Sequence, residues 1–166
     1  QHYFALKRPE KSPPATLQIR DFVCHFPPFV DSLRLEARLD AAKQDATWDA
    51  QIRNLRVQTI KAEQIALKIR ADSNRAQIGL RARQLQSTEG QLPAQVNLAA
   101  TVRQDTAALD LVLADSLGKG RHRLRLNATP DGNSGGFTSR LAPDQTIDYQ
   151  TWRVDPNNKI TVHPAR

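Results

Sequence analysis

At 166 residues the chain is long enough for one domain and too short to argue for two. Its 24 Lys and Arg against 17 Asp and Glu leave a net charge of +7 and a pI near 10.1, yet only 5% of its residues are aromatic. Nucleic-acid modules cluster their cations and interleave stacking aromatics. Here the arginines, among them Arg34, Arg38, Arg53, Arg70, Arg83 and Arg103, are spread along the chain, which predicts a solvated basic face and no nucleic-acid partner. A single cysteine, Cys24, excludes an internal disulfide and a cysteine-based zinc site. No run approaches the roughly 20 consecutive apolar residues of a membrane-spanning helix. The chain opens at Gln1, lacks methionine, and meets the charged Lys7-Arg8-Pro9-Glu10-Lys11 where a leader would be apolar. These features predict a segment of a larger protein, with any anchor or export signal elsewhere in that parent.

In residues 1–30, Pro9, Pro13, Pro14, Pro27 and Pro28 break the chain into short pieces, with Phe22, Phe26 and Phe29 between them. This reads as a Pro-rich connector and an irregular first strand, with Cys24 a small apolar filler beside Phe22 and Phe26. Residues 31–166 read as one repetitive β-strand region. Leu33, Leu35, Ala37, Leu39 and Ala41 alternate with Arg34, Glu36, Arg38 and Asp40. Ala, Gln, Arg and Leu are good helix formers, and a heptad through Ile52, Leu55, Thr59, Ala62, Ala66, Ile69 and Ser73 competes. That heptad puts Thr and Ser in its seam, and a helix would wrap the charges all the way round. A strand gathers them on one face.

The same alternation recurs at Ala46, Trp48, Ala50 and Ile52; at Ile65, Leu67, Ile69 and Ala71; and at Ile78, Leu80 and Ala82. It continues at Val96, Leu98, Ala100 and Val102; at Leu109, Leu111 and Leu113; and at Leu124, Leu126 and Ala128. Turn-type clusters separate the runs: Asp72-Ser73-Asn74, Glu89-Gly90, Arg103-Gln104-Asp105-Thr106, Asp115 to Gly120, Pro130 to Gly136, and Asp155-Pro156-Asn157-Asn158. The expectation is about eleven to thirteen short strands of about five to nine residues, antiparallel to their neighbours. The units resemble one another without being copies, as in a repeat-like stack.

A search for chemistry finds little. His2, His25, His122 and His163 are far apart, and His122, between Arg121 and Arg123, reads as a surface histidine. No nucleophile elbow, Walker loop or dinucleotide fingerprint is present. Asp131-Gly132-Asn133-Ser134-Gly135-Gly136 lacks the glutamate of an EF-hand and the lysine of a P-loop, so it reads as a hairpin connection. Asp110 and Asp115 have no spacing suited to acid–base work. No catalytic residue, metal or cofactor is expected, and the chain does not read as an enzyme.

The informative surface is the apolar face, whose candidate lining is Leu33, Leu35, Leu39, Trp48, Ile52, Ile65, Leu67, Ile69, Leu80, Val96, Leu98, Leu109, Leu111, Leu113, Leu124 and Leu126. Two all-β architectures use such a face. A closed β-sandwich would press alanine-rich sheets together and present only a protein-binding surface. An open curved sheet would offer an apolar groove to hydrocarbon, gaining roughly 0.8 kcal/mol per buried methylene. Exposed apolar strips are a liability, so the pattern alone favours the sandwich.

The last third adds a resemblance. The stretches Gly120–Ala128, Gly136–Leu141 and Ile147–Val162 place a hairpin before a strand with Trp152 and Val154, followed by Asn158 and Ile160. This resembles the TamB/AsmA-like family of translocation and assembly module proteins, most closely its Bacteroidetes type. The resemblance implies an elongated, curved, antiparallel-rich β-taco with an apolar concave face. It also implies a periplasmic parent, anchored in the inner membrane by a helix outside this segment, which carries phospholipid between inner and outer membranes or assists outer-membrane protein assembly. Implied partners are phospholipid acyl chains and a TamA- or BamA-like outer-membrane barrel, met through other regions of the parent. Open sheet edges would also let the excised segment self-associate. The family offers no catalytic residues.

Overall fold

Alternation with period two becomes a single antiparallel sheet. The computed structural model describes residues 16–26, 30–87, 93–130 and 136–162, the first stretch as backbone only. Among these residues there are thirteen strands and no helix: β1 (Thr16–Phe26), β2 (Val30–Asp40), β3 (Asp45–Val57), β4 (Ile60–Ala71), β5 (Arg75–Arg83), β6 (Gln86–Ser87), β7 (Gln95–Arg103), β8 (Thr106–Ala114), β9 (Gly120–Pro130), β10 (Phe137–Leu141), β11 (Asp144–Ile147), β12 (Gln150–Arg153) and β13 (Ile160–Val162).

The thirteen strands make ten lanes, because three lanes are broken. β5 and β6 both pair with β4, β10 and β11 both pair with β9, and β13 and β12 pair with β10 and β11 in turn. Read this way, lane order follows the chain from β1 to the end, a pure meander. The sheet does not close into a barrel, and among the described residues no second layer covers it. Among the described residues the only buried hydrophobics are Ala62, Ala82 and Ala114, and no large side chain is fully buried. A sandwich would bury leucines and isoleucines between its layers. The open curved sheet is therefore the architecture, and the closed sandwich is not.

Several strands are longer than the sequence suggests, with β3 reaching 13 residues and β4 12. The reason lies in the turns. Gln44, Gln58 and Gln104 adopt left-handed φ values of 51°, 53° and 49°, and Asp148 and Tyr149 take 54° and 66°. Tight hairpins need positive φ to match strand twist, and here residues other than Gly or Asn supply it. The aspartate turns were legible. Asp72 Oδ1 accepts from the Asn74 and Arg75 amides at 2.8 and 2.9 Å, and Asp115 Oδ1 from Leu117 and Lys119 at 3.0 and 2.9 Å.

β1 is irregular, with register shifts against β2 between Ile19 and Phe22 and between Cys24 and Phe26. The packing of Cys24 with Phe22 and Phe26, the connector prolines, Glu89-Gly90 and the loop at 131–135 lie outside the residues or side chains described.

A crease crosses the sheet near one margin. Asn54 and Gln84 sit inside lanes rather than turns, yet have φ of 53° and 54°. Asn54 Nδ2 donates to Asp31 Oδ2 at 2.6 Å across the lane boundary. Beyond this line the apolar positions lose their spacing of two: Ile52 is followed by Leu55, Ala82 by Leu85, and Ala62 precedes Ile65. In β3 and in the β5–β6 lane a left-handed residue interrupts the extended path, so the alternation restarts on the far side.

The other margin is held by two amides that stand in for backbone. Gln145, only 5% exposed, accepts from the Arg125 N–H at 2.7 Å through Oε1 and donates from Nε2 to the carbonyls of Arg125 and Ala142 at 3.0 and 2.7 Å. One lane out, Asn158 Oδ1 accepts from the Leu141 N–H at 2.7 Å and its Nδ2 donates to Leu141 O at 3.1 Å. Each side chain fills the gap where its lane is broken. Gln145→Leu strands the Arg125 N–H, while the Arg125 carbonyl keeps the Ala142 amide at 2.9 Å, so it should cost about 2 kcal/mol. Amide hydrogen exchange at Arg125 should rise by roughly tenfold or more while Leu141 serves as an internal reference. Unchanged exchange at Arg125 would show that the side-chain bracket does not hold this margin.

Candidate functional site

The registers bring all sixteen candidate lining residues onto one face. Four rows cross the seven lanes from β2 to β9. The first runs Leu33, Ile52, Ile65, Ala82, Val96, Leu113 and His122, and the second Leu35, Ala50, Leu67, Leu80, Leu98, Leu111 and Leu124. The third runs Ala37, Trp48, Ile69, Ile78, Ala100, Leu109 and Leu126, and the fourth Leu39, Ala46, Ala71, Ala76, Val102, Ala107 and Ala128. His122 is the sole polar member. Leucine dominates the second row and alanine the fourth, so the face is thick along its middle and thin along one side. It is open as well as apolar, with Leu39, Trp48 and Leu124 exposed by 46%, 53% and 38%.

At the far end a hollow of about 420 Å³ opens on this face, between β8–β9 and the β11–β12 hairpin. Leu111, Leu113, Leu124, Leu141, Ile147, Trp152 and Val154 line it, with His122, Arg123, Gln145, Thr146 and Arg153 as its polar edges. His122 is thus half-buried on the apolar side, where its Nδ1 accepts from the Asp148 N–H at 3.3 Å, rather than a plain surface histidine. The alternation already put it in phase with Leu124 and Leu126; its arginine neighbours obscured that signal. Leu141 and Ile147 were missed because only the hairpin's return across β9 brings them near Leu111.

The four resemblance residues divide between two jobs. Trp152 lies on β12 opposite Gln145 and lines the hollow, as does Val154, whose N–H donates to Pro143 O at 2.7 Å. Asn158 brackets Leu141, and Ile160 pairs with Ser139 in the outermost lane.

The hairpin that carries Ile147 and Trp152 is pinned at its tip. Tyr149 donates its hydroxyl to Asp115 Oδ2 at 2.8 Å, Lys119 Nζ stands 5.0 Å from the centre of the Tyr149 ring, and Arg121 Nε donates to Asp148 Oδ1 at 2.7 Å. The hydrogen bond from Tyr149, supported by the Lys119 and Leu117 amides, holds the Asp115 carboxyl below its usual range and raises the Tyr149 phenol. On the polar face, Arg123 likewise lowers Asp110. That face otherwise carries exposed pairs such as Arg34–Glu36 at 2.6 Å and Lys68–Asp49 at 3.3 Å, which contribute little to stability.

A carboxyl depressed by folding stabilises the fold above its unfolded pKa, and that contribution is lost as pH falls through the lower folded value. Tyr149→Phe should therefore move the Asp115 titration back up toward the ordinary carboxylate range and leave Asp110 in place. Carboxyl-carbon NMR reads both, and an unmoved Asp115 would show that the pin is not formed in solution.

Among the described residues no group of three or more His, Cys, Asp or Glu could hold a metal ion, and no helix is long and apolar enough to cross a membrane. No protein-family model matches the chain, and neither a curated protein nor a solved structure does.

Proposed function

We propose that the chain is a segment of a periplasmic envelope-biogenesis protein of the TamB/AsmA-like kind, and that its apolar face carries phospholipid acyl chains between inner and outer membranes. Assistance to outer-membrane barrel proteins, through a TamA- or BamA-like partner bound elsewhere on the parent, belongs to the same reading. The observation that carries it is the four-row apolar face across seven lanes, uncovered by any second layer among the described residues. An exposed apolar surface of that extent marks a place where something apolar binds.

The energetics suit a carrier. A methylene fully removed from water gains roughly 0.8 kcal/mol. An acyl chain lying on one open face is covered on one side only, so each methylene gains about half of that. A chain of ordinary length is then held firmly enough to leave water and loosely enough to slide. No polar contact is needed along its length, and the hollow beside Trp152 gives it a deeper seat at one end. In this reading the chain performs no catalysis and needs no cofactor.

The test is photo-crosslinking in envelopes. Crosslinkers at Trp48, Leu98 and Leu111 should capture phospholipid, whereas those at Arg34 and Arg70, on the opposite face, should not. Leu98→Glu should reduce capture at Leu111 several-fold, because a carboxylate in the middle of the face must stay hydrated. Equal labelling on the two faces would sink the proposal.

A further inference from the structure

The polar face has a hollow of its own, of about 580 Å³. Two rows of the sheet form its floor. One runs Ser32, Arg53, Gln64 and Arg83 across β2 to β5, and the next runs Arg34, Gln51, Ala66 and Arg81. Four arginines therefore border one depression, and Glu63 is the sole carboxylate among its lining residues. Arg53 and Arg83 lie on lanes two apart, which places their backbones roughly 10 Å from each other, with Gln64 between them. Both side chains are long enough to meet above that glutamine.

The two arginines of the second row are already engaged. Arg34 is paired with Glu36 at 2.6 Å, and Arg81 Nε donates to Asn97 Oδ1 at 3.0 Å. Among the described residues Arg53 and Arg83 have no carboxylate partner, and both are exposed. The backbone singles out the same pair. Asn54 and Gln84, the left-handed residues of the crease, follow them directly. A non-glycine residue in that conformation costs about 1–2 kcal/mol, and this cost falls twice at the same line across the sheet. Arg53 and Arg83 thus both line the hollow, each followed by a left-handed residue and neither in an ion pair with a described residue.

We propose that this hollow is a site for a phosphate-type oxyanion, held by the guanidinium groups of Arg53 and Arg83 with the Gln64 amide beneath and Arg81 adding charge. The planar guanidinium fork matches the tetrahedral oxyanion two oxygens at a time, and the ligand relieves the repulsion between the two cations. The site's arginines and Gln64 lie on the face opposite the apolar rows, of which only Ile52 and Ile65 border the hollow. It cannot hold the headgroup of a lipid whose chains lie on them, and it does not depend on that reading. Its phosphate comes either from a soluble phosphate compound or from anionic headgroups at a membrane surface.

The two sources separate by experiment on the whole 166-residue chain. Calorimetric titration with pyrophosphate probes the soluble source, and flotation with phosphatidylcholine vesicles, with and without phosphatidylglycerol, probes the membrane. Binding of at least one probe is expected. The double variant Arg53→Gln/Arg83→Gln should weaken it by about tenfold or more, and Arg53→Lys/Arg83→Lys should fall between, since a lysine keeps the charge and loses the fork. Arg70→Gln/Arg103→Gln removes the same charge elsewhere and should cost less than about threefold. Circular dichroism confirms that each variant keeps its sheet. Binding of neither probe, or an equal loss in the Arg70/Arg103 control, would overturn the site and leave only diffuse attraction to a basic surface.

Discussion

Phase is what the whole molecule depends on. In a pleated sheet a slip of one residue between two strands sends every side chain of the slipped strand to the other face. Within the four apolar rows of the seven lanes no such slip occurs: Leu35, Ala50, Leu67, Leu80, Leu98, Leu111 and Leu124 form an unbroken row, and Arg34, Gln51, Ala66, Arg81 and Asn97 form the row behind it. The apolar face and the arginine hollow are two consequences of one alignment. The connections maintain it. The Gln58-Thr59 and Gln104-Asp105 turns each close a hairpin whose first pair, Val57–Ile60 or Arg103–Thr106, is already in register.

A sheet without a second layer must find its cohesion within one plane. Backbone ladders and cross-strand pairs supply it, each pair contributing about 0.2–1 kcal/mol. The pairs here are mostly aliphatic on one face and mixed-charge on the other, as in Leu109–Leu126 beside Asp110–Arg125. Their large number replaces the deep burial a layered domain would use. It also explains why the fully enclosed apolar residues are alanines, which neighbours can cover without help from above.

Much of this was legible from alternation. All sixteen lining residues follow from counting in twos, because strand geometry leaves a side chain only two directions. The aspartates that close turns, Asp72 and Asp115, were legible too, since a short carboxylate bonding its own following amides is a local device. What stayed hidden was non-local or conformational. Nothing in Gln44, Gln58 or Gln104 announces a left-handed backbone, and nothing in Asn54 or Gln84 announces a crease, except in hindsight the stutter from Ile52 to Leu55. The roles of Gln145 and Asn158 require partners about twenty residues away. The choice between sandwich and open sheet was also out of reach, because both write the same alternation; the covering layer, or its lack, is a property of tertiary structure.

The meander has one further consequence. Since each lane touches only the lanes before and after it in the chain, the sheet is quasi-one-dimensional, and its stability is close to a sum over adjacent interfaces. From β1 to β9 no contact waits for a distant segment to return, so ordering can start at any hairpin there and spread sideways. The unit of change is the hairpin. Removing one lane would reverse the direction of every lane after it, whereas removing two would leave direction, phase and the sidedness of both faces intact. A sheet of this kind can vary in width by steps of two strands while preserving the chemistry of each surface.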